Sequence, residues 1–175
     1  MSPRVLKIVA ATVLVAATFS CAPSSGAHTE APSAALAPDF SLPALDGSTV
    51  RLSDYAGKVV LVDFWSTTCD PCMVEIPHLV ELYRKHKAQG LVVLAVSLDG
   101  PESRAQVSNT AQNKRMDFPV LLDEETTVVA QFNPKRELPF SVLVGRNGAV
   151  LRKRAGYTPG DENLIAQDVE AALKD

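Results

Sequence analysis

Two cysteines separated by two residues stand where a strand-like run gives way to a helical pattern, and few folds accommodate that junction. Residues 58–64 (KVVLVDF) are apolar after the first, with one interior acid, Asp63, which suits a central strand covered on both faces. From about 70 to 89, Cys72, Ile76, Leu79, Val80 and Tyr83 recur at helical spacing, and Gly90 closes the segment. Pro77 falls inside this pattern and predicts a kink. Cys69-Asp70-Pro71-Cys72 therefore lies at the N-terminal edge of a helix. Free backbone N–H groups and the helix dipole stabilise an anion there. The thiolate is the attacking species in disulfide exchange, so Cys69 is the expected nucleophile. Cys72, one turn on, is expected to be more buried and close enough to resolve a mixed disulfide. Pro71 sits in the first turn, where its missing N–H costs nothing.

The rest of the chain supplies a sheet for this junction. Phe40, Leu42, Val50 and Leu52 alternate with polar residues around the turn signal Asp46-Gly47, predicting a β-hairpin. A buried strand is expected at 91–97, a weakly amphipathic helix at 101–115, a short strand at 119–122 and a short helix at 124–132. A second hairpin spans 140–144 and 149–154 around Arg146-Asn147-Gly148. A final helix, 161–173, is expected to bury Leu164, Ile165, Val169 and Leu173. Two βα units followed by an antiparallel hairpin and a helix form an α/β sandwich. A net charge of −3 and the lack of any Lys/Arg-rich run argue against a nucleic-acid partner. Three cysteines are too few for a disulfide-stapled scaffold.

The N-terminus has a different character. Arg4 and Lys7 precede residues 8–19, which contain nothing more polar than threonine. The run is short for a bilayer span, which needs about 20 apolar residues, and fits a signal-peptide core. Cys21 follows directly, in a Thr18-Phe19-Ser20-Cys21 context that resembles a bacterial lipoprotein box. Thr18 stands where leucine is usual and Phe19 where a small residue is; ordinary signal cleavage a few residues downstream is the alternative. The expected organisation is a signal segment at 1–20, an Ala/Pro/Ser-rich flexible linker at 21–37 and a folded domain at 38–175. The expected location is extracytoplasmic or periplasmic, with the domain tethered to a membrane by lipid on Cys21.

The stretch VVLVDFWSTTCDPCMVEIP (59–77) resembles active sites of the thioredoxin superfamily, above all its TlpA/ResA-like branch with an AhpC/TSA-redoxin-like domain. The similarity continues through Pro38-Asp39-Phe40-Ser41-Leu42, Gly57-Lys58, Leu138-Pro139-Phe140 and Asn147-Gly148. It implies a thioredoxin fold, a central mixed sheet flanked by helices, with an N-terminal β-hairpin extension. It implies a redox disulfide between Cys69 and Cys72, and matches Asp63 to the buried acid that exchanges a proton with the resolving thiol. Many members of this branch carry an amide there, so aspartate is a departure towards general-base competence. Glu75 matches an active-site glutamate, Pro139 a cis-proline opposite the cysteines, and Trp65 the tryptophan beneath the site. The backbone at Leu138 would pair with an extended substrate segment. Thr68 and Phe140 depart from the residues common beside the nucleophile and the proline. Asp70 places negative charge beside Cys69, opposing the helix-end effect.

The implied function is an exported thiol–disulfide oxidoreductase that reduces protein disulfides without a cofactor. A membrane thiol electron donor of the DsbD/CcdA type would keep it reduced, for cytochrome c maturation or metal-site assembly. Two other chemistries compete. A peroxiredoxin-type thiol peroxidase would want a proline seven residues before the nucleophile, where Val62 stands. A copper-binding chaperone would need a third ligand such as His78, which helical spacing points away from Cys72. His28, His78 and His86 read as linker or surface residues, and no metal site is expected.

Overall fold

The computed structural model describes residues 35–175; the expected signal segment, Cys21, His28 and the expected linker through 34 lie outside the described residues. A small antiparallel hairpin, β1 (Ser41–Pro43) and β2 (Thr49–Arg51), precedes the main body. Then come β3 (Val59–Trp65), α1 (Asp70–His86), β4 (Leu91–Ser97), α2 (Arg104–Asn113), β5 (Val120–Leu122), α3 (Thr127–Phe132), β6 (Phe140–Val144), β7 (Val150–Ala155) and α4 (Asp161–Ala172). The five-stranded sheet has the order β5-β4-β3-β6-β7. The pairs β3–β4 and β4–β5 are parallel, while β6 and β7 run antiparallel to their neighbours. This is the thioredoxin arrangement expected from the sequence.

All seven residues of β3 are buried, as a central strand requires. Its alternation divides the core in two. Val59, Leu61 and Trp65 pack with apolar residues of α1, α2 and α4. Val60, Val62 and Phe64 pack with the N-terminal hairpin and α3. Asp63 has the parity of the first set and therefore faces the helix layer that carries Cys72.

Several local features have identifiable causes. Helix α1 continues through Pro77, whose missing N–H leaves the Met73 carbonyl without its helical donor. Lys114 Nζ donates to that carbonyl at 2.8 Å and replaces the lost bond. Helix α3 begins at Thr127 rather than near Glu124, because the chain first turns with Thr126 N–H donating to Asp123 O. The Asp123 carboxylate then accepts the N–H groups of Thr127, Val128 and Val129 at 3.0, 3.2 and 2.8 Å. In α4 the buried stripe is Ile165, Val169 and Ala172. Leu164, expected inside, is 44% exposed because it lies about 100° round the helix from Ile165.

The chain reaches the domain at the pole opposite Cys69. Ala37 N–H donates to Gly148 O, and Val150 N–H donates to Ala35 O, both at 2.9 Å. Since Val144 pairs with Val60, the β6–β7 turn lies at the Val59 end of the sheet. Trp65 and the cysteines lie at the other end.

Candidate active site

Cys69 is the residue that caps α1: it has extended backbone, and its Sγ accepts the Cys72 N–H at 3.2 Å. Its sulfur thus already occupies the position an anion takes at a helix N-terminus. The two cysteines form a disulfide, with S–S 2.00 Å and Cα atoms 5.3 Å apart. Cys69 is half-buried, whereas Cys72 is only 1% exposed. One sulfur can be approached from outside and the other cannot.

The loop leading to Cys69 is pinned from β4 and its following turn. Leu98 N–H donates to Trp65 O at 2.9 Å, and Cys69 N–H donates to Ser66 O at 3.2 Å. The Asp99 carboxylate accepts Thr67 N–H at 2.9 Å and Thr67 Oγ1–H at 2.5 Å. It also accepts Ser97 Oγ–H at 2.8 Å. Asp99 escaped the sequence reading. Polar residues just beyond the carboxyl end of a buried parallel strand were the available signal, since α/β sheets assemble sites there.

Two acids are buried on the strand and helix that flank the disulfide. Asp63 is 1% exposed and Glu75, one turn after Cys72, is 2% exposed. Glu75 is therefore no surface residue of the helix. Asp63 Oδ1, Glu75 Oε2 and Trp65 Nε1 are, among the described residues, the buried side-chain polar atoms that lack a hydrogen-bond partner. Burial pushes the Asp63 carboxyl far above the usual carboxylate range. Burial, then the nearby charges of Asp63 and Asp161, push Glu75 up as well. The pair therefore retains protons where ordinary carboxylates have lost them. Trp65 is fully buried in the core that includes Cys72 and Ile76.

The Leu138–Pro139 peptide is cis, with Pro139 buried and Leu138 half-buried. Phe140 pairs with Phe64, so Pro139 lies at the Trp65 end of β3, the same end as the cysteines. Pro139 O accepts Gly156 N–H at 2.8 Å. The sequence expectation for His86 is corrected: it is 5% exposed, with ring nitrogens 3.1 Å from Gln89 Oε1 and 3.2 Å from Glu170 Oε1. An imidazole beside polar partners can be buried without being a ligand. His78 is half-buried and stacks against Tyr157, ring centroids 6.4 Å apart. Among the described residues no group of three or more His, Cys, Asp or Glu side chains is placed to hold a metal.

Residues 34–157 match the AhpC/TSA family. The thiol-disulfide oxidoreductase ResA of Geobacillus kaustophilus is 36% identical over 138 residues, 79% of this chain and 74% of that protein. That of Geobacillus thermodenitrificans is 35% identical over 135 residues, covering 77% of this chain and 75% of that protein. Among solved structures, a candidate thiol:disulfide interchange protein DsbE from Chlorobium tepidum superposes with a TM-score of 0.74 at 34% identity, covering 81% of this chain and 97% of that one. With a half-accessible cysteine capping a helix, a buried partner one turn on and these relatives, the chain belongs to the AhpC/TSA family and is a thiol–disulfide oxidoreductase of the ResA type.

Proposed function

We propose that Cys69 and Cys72 form the working dithiol, and that it reduces protein disulfides outside the cytoplasm. The observation that carries this reading is the asymmetry of the pair: an accessible Sγ at a helix N-terminus, and a buried one on the side of the sheet where two buried acids bind protons more tightly than usual. The Cys69 thiolate attacks one sulfur of a substrate disulfide, forming a Cys69–substrate bond. The other substrate sulfur leaves as a thiolate and takes a proton from water. The Cys72 thiol then yields its proton to the Asp63 carboxylate, and its thiolate attacks Cys69 Sγ. The Cys69–Cys72 bond forms as the Cys69–substrate bond breaks. Two electrons have passed from the dithiol to the substrate.

In this reading Leu138 offers its backbone to an extended substrate segment, and Trp65 supports the site from below. Glu75 acts as a second acid beside Asp63. A membrane thiol donor of the DsbD/CcdA type re-reduces the pair, and the substrates belong to cytochrome c maturation or metal-site assembly. Lipid on Cys21 holds the protein at a bacterial membrane. Entry of the described chain at the pole opposite Cys69 keeps the point of attachment of the N-terminal segment away from the redox end, which supports a tether there.

The test is Cys72→Ser expressed as the full chain. Without the resolving thiol the mixed disulfide at Cys69 persists, so the variant is expected to accumulate covalent complexes that dissolve in dithiothreitol. The complexes should sediment with membranes and contain exported cysteine proteins. Trapped partners drawn from the cytoplasm would overturn the exported reading, and an absence of complexes would overturn the dithiol mechanism.

A further inference from the structure

A buried acid that takes a proton from Cys72 on each turnover must return it to solvent, and Asp63, at 1% exposure, has no direct way to do so. Between α1 and α4 runs an open groove of about 390 Å³. Its lining includes Glu75, His78, Leu79, Glu162, Ile165 and Ala166. Glu75 thus borders this groove while its hold on a proton responds to the charge on Asp63. On the β6–β7 side, next to Ser141, the void measures only about 10 Å³, room for at most one water.

We propose that the groove between α1 and α4 is the proton port of the redox centre, with Glu75 at its floor relaying the proton between Asp63 and solvent. The proposal rests on Asp63 being the proton acceptor of Cys72. The unpartnered oxygens of both acids, Asp63 Oδ1 and Glu75 Oε2, are the atoms free to give or receive that proton. The groups that bear on Glu75 are Asp63 on β3, Asp161 and Glu162 at the start of α4, Tyr157 before it, and His78 on its own helix. Tyr157 Oη donates to Glu162 Oε2 at 2.6 Å, which keeps Glu162 ionised and Tyr157 protonated. Neither is therefore poised to carry the proton, and Glu75 is.

The interaction between the two acids gives the relay a direction. While Asp63 is ionised, its negative charge helps to hold the proton on Glu75. When Asp63 takes the Cys72 proton that charge disappears, and Glu75 releases its own proton to water in the groove. The Asp63 proton then passes to Glu75, restoring the starting state. One proton leaves per Cys72 thiol consumed, and the same steps in reverse supply a proton during re-reduction.

The experiment is single-turnover oxidation of the reduced protein by a model disulfide, followed through its single tryptophan, Trp65. Glu75→Gln is expected to slow the resolving step at least tenfold and to enlarge its solvent isotope effect. Glu75→Ala is expected to be equally slow, and to be rescued in proportion to added formate or imidazole, which reach the vacated position through the groove. Adding Ala166→Phe to Glu75→Ala narrows the groove and should suppress that rescue. A Glu75→Gln rate equal to wild type, or a Glu75→Ala variant indifferent to both buffers, overturns the relay. Asp63→Asn separates the two readings: a wild-type rate there removes the parent mechanism, whereas a slow Asp63→Asn with an unaffected Glu75→Gln removes the relay alone.

Discussion

Cys69→Ser is expected to reduce insulin-disulfide reduction by at least about 10³-fold, down to the uncatalysed rate, as when a covalent nucleophile is removed. The change is informative because it spares the local structure. Cys69 caps α1 through Sγ, and serine is among the residues that best serve as such a cap. The reduced variant should therefore match the reduced wild type in thermal stability. A stable protein without activity locates the loss in the chemistry. The hydroxyl stays protonated at neutral pH, so the helix N-terminus has no thiolate to stabilise and the first bond never forms. Undiminished activity in this variant would remove Cys69 from the reaction.

The second large effect concerns stability. Asp63 and Glu75 have carboxyls raised above their unfolded values by burial, so the folded protein binds more protons than the unfolded chain in that window. Stability must then fall as pH rises from the ordinary carboxylate range, near 4, through the raised folded values. Above them the penalty is constant. The oxidised protein is expected to be most stable on the acid side of neutrality and to weaken towards pH 9. Asp63→Asn removes a substantial part of that penalty. It should stabilise the protein at pH 8 by on the order of 3 kcal/mol while changing little at pH 4. Urea titrations of both proteins across this range measure it. A wild-type curve that rises with pH would contradict the assignment of two buried acids whose hold on a proton is strengthened by burial.

Such a gain on removing a charged group is what a functional residue in a core looks like: it is kept at a cost to stability. Among the described residues the three unpartnered buried atoms belong to Asp63 and Trp65 in the half of β3 that leads to the cysteines and to Glu75 one turn beyond Cys72. Asp123, just as buried but serving only structure, has its oxygens filled by three backbone N–H groups of α3.

The legible part of the fold was the part dictated by periodicity. A seven-residue apolar run, β3, could only be a covered strand, and the helical recurrence of Cys72, Ile76, Leu79 and Val80 fixed the buried face of α1. Asp63 was conspicuous as the single acid in that run. Contacts between distant segments were not legible. Asp99 reaches Thr67 across 32 positions, and Lys114 reaches Met73 across 41; nothing near any of these residues announces its partner. Local competition also escaped the pattern. Residues 124–126 have helical composition, yet the turn at Asp123 delays α3 to Thr127. The burial of Glu75 was not legible either. Its spacing from Cys72 places it on the inner face of α1, but only the packing of α4 across it explains why a glutamate there is 2% exposed, at the floor of a groove.

The central claim is that this dithiol works as a reductant, and its equilibrium reduction potential tests that most directly. The measurement equilibrates the purified protein against glutathione or dithiothreitol buffers and counts Cys69 and Cys72 thiols by alkylation. A potential near or below about −250 mV is the expected result and places the pair with thioredoxin-like reductants. A potential above about −180 mV would make the pair an oxidant or isomerase and contradict the account.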